Sequence, residues 1–170
     1  CLYCSRVNSG HLFRARSPQN VILELEQLKE YGFNEVQIVD DDFTEDRGRV
    51  IELCELIKDR RLNMSFNLLG GIRVDKVDEE ILTNMYNAGC YAIHFGAESG
   101  DDGVLAYNRK GITTKQILNA VRTAKKIGYK IILYVIIGLP GSSIESEKKT
   151  IDLLEECGPD VTRVSVCTPY

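Results

Sequence analysis

Long apolar runs are missing from this 170-residue chain. The longest, residues 131–137, is far too short to cross a bilayer, which excludes a membrane-spanning helix. No succession of basic, apolar and small residues marks a secretory leader, although a piece of a longer protein could have lost one. A basic stripe is missing too: the net charge is −4, and Lys and Arg are scattered along the helical segments, which leaves nucleic acid without electrostatic support. No glycine-rich dinucleotide fingerprint follows any strand-like stretch. A disulfide framework is not expected either, because the six cysteines belong to a chain that is neither small nor loop-rich. The chain opens on Cys1 and not on methionine, so it is expected to be cut from within a larger motif.

What is present is ordinary globular composition, 44% hydrophobic and 27% charged, in a length that suits one domain over residues 1–170. Cys54 and Cys157 fall on apolar helix faces, and Cys90 and Cys167 in or beside strands, where each reads as a small buried hydrophobe. Only Cys1 and Cys4, in Cys1-Leu2-Tyr3-Cys4, have the spacing of ligands that converge on one metal or cluster. A reducing cytosol is the expected location.

Residues 5–16 read as a polar, basic loop, with Asn8-Ser9-Gly10 as a turn and His11 on its surface. Ser17-Pro18 then predicts a helix start, Val21, Leu25 and Leu28 its apolar stripe, and Gly32 its left-handed terminator. A strand over 36–39 follows and ends on Asp40-Asp41-Asp42. Thr44 is the expected cap of a second helix carrying Val50, Cys54 and Ile57 inward. A strand over 64–69 closes on Gly70-Gly71-Ile72-Arg73. Asp78 opens a third helix with Ile81, Met85 and Ala88 inward, and a strand over 91–95 runs into Gly96-Ala97-Glu98-Ser99-Gly100. After a short segment at 104–107, Thr113 and Gln116 form a capping box for a helix with Ile117, Val121 and Ala124 inward. The clearest strand is 130–137, apolar almost throughout, and it ends in Gly138-Leu139-Pro140-Gly141. Ser142 with Glu145 is expected to cap the next helix, and 161–167 is the last strand.

The succession helix, glycine, short link, strand recurs at Gly32, Gly89, Gly128 and Gly158. Such alternation demands parallel strands joined by right-handed crossovers, as a β/α barrel or an open doubly wound sheet. A barrel, complete or partial, is the expectation. The working edge of either lies at the carboxyl ends of the strands, where the chain sets the three aspartates, Arg73, Glu98-Ser99, the Gly-Leu-Pro-Gly turn and Thr168-Pro169.

Taken singly these signals are weak. A lone Cys-x-x-Cys also occurs in zinc ribbons and redox disulfides, and three aspartates beside Thr44 also read as a solvated helix cap. Glu98 is the most suggestive carboxylate, since small neighbours leave it accessible, whereas His94 within a strand reads as a satisfied core residue. In their order, however, the motifs resemble the core of the radical S-adenosylmethionine (SAM) superfamily, whose members carry Cys-x-x-x-Cys-x-x-Cys. Cys1 and Cys4 match the last two of those cysteines, with the usual aromatic, Tyr3, between them. Val39-Asp40-Asp41-Asp42-Phe43-Thr44, Gly71-Ile72-Arg73-Val74-Asp75, Gly96-Ala97-Glu98-Ser99-Gly100 and Ile137-Gly138-Leu139-Pro140-Gly141 are most similar to the subgroup that pairs this core with an N-terminal cobalamin-binding domain.

The resemblance implies a partial TIM-like (βα) barrel of about five strands, with the first strand and the first cysteine ligand missing from this chain. Cys1 and Cys4 would ligate two irons of a [4Fe–4S] cluster whose open iron binds the amino and carboxylate groups of SAM. Tyr3 would set its backbone near the adenine, and Asp40 and Asp41 would receive the methionyl amino group. Glu98 would hydrogen-bond the ribose, with Ser99 and Arg73 or Arg109 on the ribose or the carboxylate. Ile136, Gly138 and Val166 would line the adenine slot. The implied reaction is reductive cleavage of SAM to a 5′-deoxyadenosyl radical that takes hydrogen from a small-molecule or lipid-like substrate, with electrons from an external reductant such as flavodoxin or ferredoxin. Methyl transfer and ring formation with cobalamin are among the outcomes this core serves. Tyr134 stands where many members have glycine. Two thiolates do not complete a three-ligand cluster, so the chain alone is expected to be inactive, with its open sheet edge covered by an added strand or a second copy. Two rival readings stay open: a non-redox β/α-barrel enzyme acting on a phosphorylated metabolite through an anion site near residues 138–143, and a non-catalytic zinc module completed by a partner chain.

Overall fold

The structure is a computed structural model that describes residues 1–3 and 13–168. Cys4, His11 and the Asn8-Ser9-Gly10 turn lie outside the described residues. The first helix, α1 (Pro18–Glu30), starts where the Ser17 hydroxyl accepts from the Asn20 backbone N–H. It stops where Phe33 N–H returns to the Leu28 carbonyl at 3.0 Å, a closure that needs the left-handed backbone of Gly32 (φ 91°). Thereafter come β1 (Glu35–Ile38), α2 (Arg47–Asp59), β2 (Ser65–Ile72), a 3₁₀ turn (Val74–Lys76), α3 (Glu79–Asn87) and β3 (Cys90–Glu98). The rest is α4 (Asp102–Tyr107), α5 (Thr114–Ile127), β4 (Lys130–Ile137), α6 (Ile144–Cys157) and β5 (Val161–Val166).

All five strands are parallel and pair in chain order, β1-β2-β3-β4-β5, as a curled half-barrel with its helices on the convex side. Alternation along each strand sends Phe66, Leu68, Ile93, Phe95, Leu133 and Val135 to that side. There they join Leu53 of α2, Ile81 and Met85 of α3 and Val121 of α5 in one buried cluster, each side chain stabilising by roughly 1.5–3 kcal/mol. The concave face carries the alternate positions, among them Asn67, Ala92, His94, Tyr134 and Arg163.

Three local expectations need correction, the caps of α2 and α6 and the end of β2. Asp46, not Thr44, caps α2: its Oδ1 accepts from Arg49 N–H at 3.0 Å, while Thr44 is buried beneath the loop and turned to Asp42. Ser143, not Ser142, caps α6 in a reciprocal pair with Ser146, because Ser142 N–H is already engaged by the Leu139 carbonyl at 2.9 Å, closing the Gly-Leu-Pro-Gly turn. Strand β2 runs on through Gly70-Gly71, and the segment at 104–107 is part of a short helix capped by Asp101. The stripe Val21, Leu25 and Leu28 is only half-buried; it lines a cavity of about 1150 Å³ between α1, α2 and β1. Cys54, Cys90 and Cys157 are buried as expected, and Cys167 is half-buried.

Candidate functional site

The carboxyl ends of the strands form one rim. β3 leaves the sheet through a bulge, where Gly96 pairs with Tyr134 but Glu98 pairs with Val135. The extra residue puts Glu98 in a left-handed conformation (φ 65°), which costs a residue with a Cβ about 1–2 kcal/mol. That geometry carries its carboxylate back over the strand, where Lys110 Nζ donates to Oε1 at 2.7 Å, with both side chains only 11% exposed. Gly96 lies directly beneath this pair: a Cβ there would meet Glu98 Oε1 at 2.6 Å and Lys110 Nζ at 3.0 Å, so a larger residue would displace the two side-chain ends.

Beside it the β1 exit supplies acid and the β2 exit supplies base. Asp42 is half-buried, and burial, aided by Glu45, raises its carboxyl above the ordinary value in spite of Arg73 and Lys76. Arg73 is held bidentately by Asp75, Nε to Oδ1 at 2.9 Å and Nη2 to Oδ2 at 2.8 Å, and these bonds raise its pKa further. The two exits touch directly: a Cβ on Gly70 would lie 2.2 Å from the Asp40 carbonyl oxygen. Asp40, Asp41, Asp42, Arg73 and Lys110 all open onto the mouth of the same cavity.

The amino end of the chain meets this rim from the other side. Leu2 N–H donates to the Asn108 carbonyl at 2.9 Å, just after α4, and Asn108 Nδ2 donates to the Pro140 carbonyl at 2.8 Å. Asn108 is 1% exposed and so ties the Cys1 segment to the Gly-Leu-Pro-Gly turn. Cys1 is exposed and Tyr3 half-buried.

Of the residues expected from sequence, Asp40, Asp41 and Arg73 share the cavity mouth, and Lys110 links Glu98 to them. Cys1 lies with Gly138 on the β4–α6 side of the rim, both bound through the segments that Asn108 joins. A Cβ on Gly138 would meet nothing within 4 Å, and its φ of 76° disfavours one. Arg109 is exposed and adjacent. Ser99 is not brought to the rim: Asp101 N–H donates to its hydroxyl at 3.2 Å, and Thr150 of α6 lies 3.4 Å away in a buried junction. Ile136 and Val166 do not share a face, since Ile136 pairs with Ser165 while Val166 pairs with Ile137. Among the described residues no three His, Cys, Asp or Glu side chains cluster as a metal site. Lys110 and Asn108 escaped the sequence reading; a basic pair before Gly111 was the one signal for the first, and nothing marked the second.

A family model described as the radical SAM superfamily matches residues 1–154. The chain belongs to the radical SAM superfamily. An uncharacterised methyltransferase of Pyrococcus horikoshii is 34% identical over 172 residues, covering 100% of this chain and 37% of its own length. The cytidylyl-2-hydroxyethylphosphonate methyltransferase of Streptomyces wedmorensis is 30% identical over 167 residues, covering 93% of this chain and 31% of its own. This radical SAM chain thus spans about a third of the length of those curated relatives. Among solved structures, the radical SAM methyltransferase TsrM from Kitasatospora setae, with cobalamin and a [4Fe-4S] cluster bound, superposes with a TM-score of 0.81 at 21% identity, over 89% of this chain and 31% of its own. The cobalamin-dependent radical SAM enzyme OxsB gives 0.80 at 22%, over 91% of this chain and 24% of its own. These likenesses show the fold. No helix among the described residues is long and apolar enough to cross a membrane.

The donors at the rim suit the cofactors of a radical SAM enzyme. The chain offers an exposed thiol at Cys1, in a segment tied through Asn108 to the Gly-Leu-Pro-Gly turn, and a shielded carboxylate, Glu98, at the end of β3. Thiolate is the soft ligand that iron–sulfur clusters take, and a carboxylate in a shielded site is a strong acceptor for ribose hydroxyls.

Proposed function

We propose that the rim binds SAM beside a [4Fe–4S] cluster and that the enzyme carrying this chain uses them for radical chemistry, methyl transfer being the reaction its relatives favour. When bound, the cluster supplies the electron that breaks the sulfonium carbon–sulfur bond of SAM. This chain contributes Cys1 and Cys4 as two iron ligands, the third thiolate coming from outside it. Asp40 and Asp41 receive the methionyl ammonium, and Arg73 or Arg109 the carboxylate. Glu98 accepts from the ribose hydroxyls, while Ile136, Gly138 and the Tyr3 backbone flank the adenine. Ser99 and Val166 are left out, the first because its hydroxyl is engaged with α6 and the second because it lies on the other face of β5. Cobalamin would be presented by a domain outside this chain, and electrons would come from a flavodoxin or ferredoxin.

The observation that carries this reading is the shielded Glu98–Lys110 pair, raised over the strand ends by a bulge that the fold itself does not require. A phosphorylated-metabolite site at residues 138–143 is less well supported: Gly138 N–H already donates to Glu147 Oε1 at 3.0 Å, and the first turn of α6 carries Glu145 and Glu147. The test is equilibrium binding of SAM to the protein carrying this chain, reconstituted anaerobically with iron and sulfide. Glu98→Gln should weaken SAM about tenfold, the loss of one charge-assisted hydrogen bond. Unchanged affinity in that variant would overturn the assignment of Glu98, and zinc without iron or sulfide would overturn the whole reading.

A further inference from the structure

The concave face of the sheet holds a second polar group of residues, below the rim, that the binding of SAM does not use. His94, Tyr134 and Arg163 stand there on three adjacent strands. The Tyr134 hydroxyl donates to the Leu69 carbonyl at 2.9 Å, and a carbonyl can only accept. Its single proton being engaged, the 2.7 Å contact between Tyr134 Oη and His94 Nδ1 must have the ring donating. A neutral His94 is thereby held as the Nδ1–H tautomer, with a lone pair on Nε2. Nε2 has no partner among the described residues and, unlike Asn67 Oδ1 and Asn108 Oδ1, it is not sealed from solvent, although His94 as a whole is only 5% exposed.

Burial lowers the pKa of His94, and the positive charge of Arg163 lowers it further. Of the other charged groups nearby, Glu35 on β1 accepts from Tyr91 and Glu98 is paired with Lys110, while Lys130, opposite Ala92, is exposed at the amino end of β4. β2 offers no titratable side chain to this face. Arg163 lies 5.9 Å over the Tyr134 ring, exposed and without a carboxylate partner among the described residues. A cation held on an aromatic face beside a neutral acceptor, on the concave side of the sheet, is not needed for packing. On the convex side of the same strands the matching positions are Phe95, Leu133 and Val135.

We propose that His94 Nε2 and the Arg163 guanidinium form a substrate subsite on the concave face, which takes a group bearing an N–H or O–H donor next to a carboxylate or phosphate. His94 accepts from the donor and Arg163 binds the anion. The assignment rests on the proposed function, because a substrate held there lies inside the curl whose rim binds SAM.

The test needs neither cluster nor SAM. The protein has two histidines, His11 and His94, so ¹⁵N spectra of the imidazoles are assigned by His94→Gln. The expected result is an Nδ1–H tautomer for His94 and a pKa below the ordinary imidazole value. Acetate or inorganic phosphate should raise that pKa by neutralising Arg163, and the anion that acts at lower concentration identifies the substrate class. In Arg163→Gln the pKa should rise without anion and the anion response should vanish. In Tyr134→Phe the ring should revert toward Nε2–H. An Nε2–H tautomer in the wild type, no response to either anion, or an equal response in Arg163→Gln would each overturn the proposal. SAM binding on a reconstituted portion of the same protein separates this failure from failure of the rim assignment.

Discussion

At the scale of single residues, the environment decides which thiols and carboxylates are chemically available. Burial pushes the Cys54 thiol up to about 12 and Cys157 up to about 11, and it raises Cys90 as well. Thiols so placed carry almost no thiolate at neutral pH, the form that alkylating agents attack. Iodoacetamide followed by mass spectrometry should therefore tag Cys1 in the native protein and reach Cys54, Cys90 and Cys157 only after unfolding. Lys110→Met should destabilise the protein by about 3 kcal/mol, because it leaves the Glu98 carboxylate shielded and unpaired; urea unfolding checks it. The pH response follows from His94, whose folded pKa lies below its ordinary 6.5. Between those two values the unfolded chain binds the extra proton, so stability is present above 6.5 and is lost as pH falls through the folded pKa. His94→Gln should flatten that slope in thermal melts taken across the acid range.

At the scale of elements, close approach of backbones explains which glycines are replaceable. Gly70→Ala should destabilise by about 3 kcal/mol, since the new Cβ runs into the Asp40 carbonyl and neither backbone can yield without parting β1 from β2. Gly32→Ala meets no atom and should cost only about 1 kcal/mol, through its positive φ. Equilibrium unfolding of the two variants compares them. The elements themselves were largely legible in the sequence. Residues 130–137 read as a strand because the run is apolar almost throughout, and the Thr113–Gln116 box and the glycines at 32, 89, 128 and 158 marked helix ends where the structure has them. The failures were of one kind. Thr44 and Ser142 are good capping residues by type, but the loops before α2 and α6 engage them locally, Thr44 with Asp42 and Ser142 with Leu139, and the role passes to Asp46 and Ser143. β2 continues through two glycines that read as a turn, since what they accommodate is a neighbouring strand.

At the scale of the whole molecule, the half-barrel itself could be foreseen, because alternating strands and helices demand parallel strands joined by crossovers, and its strand ends as an edge where loops converge. Which residues meet across that edge could not. Lys110 reaches Glu98 only because a bulge turns the carboxylate back, and Asn108 joins Leu2 to Pro140 across 32 and more residues of chain. The concave face was least legible of all: His94 looked like an ordinary strand histidine until Tyr134 and Leu69, on different strands, were seen to set its tautomer.

The sheet order has a further consequence for biogenesis. Since each strand is laid against the one synthesised just before it, a nascent chain can add its α/β units one at a time while the rest is still on the ribosome. Among the five strands, none has to wait for a distant later one in order to find its neighbour.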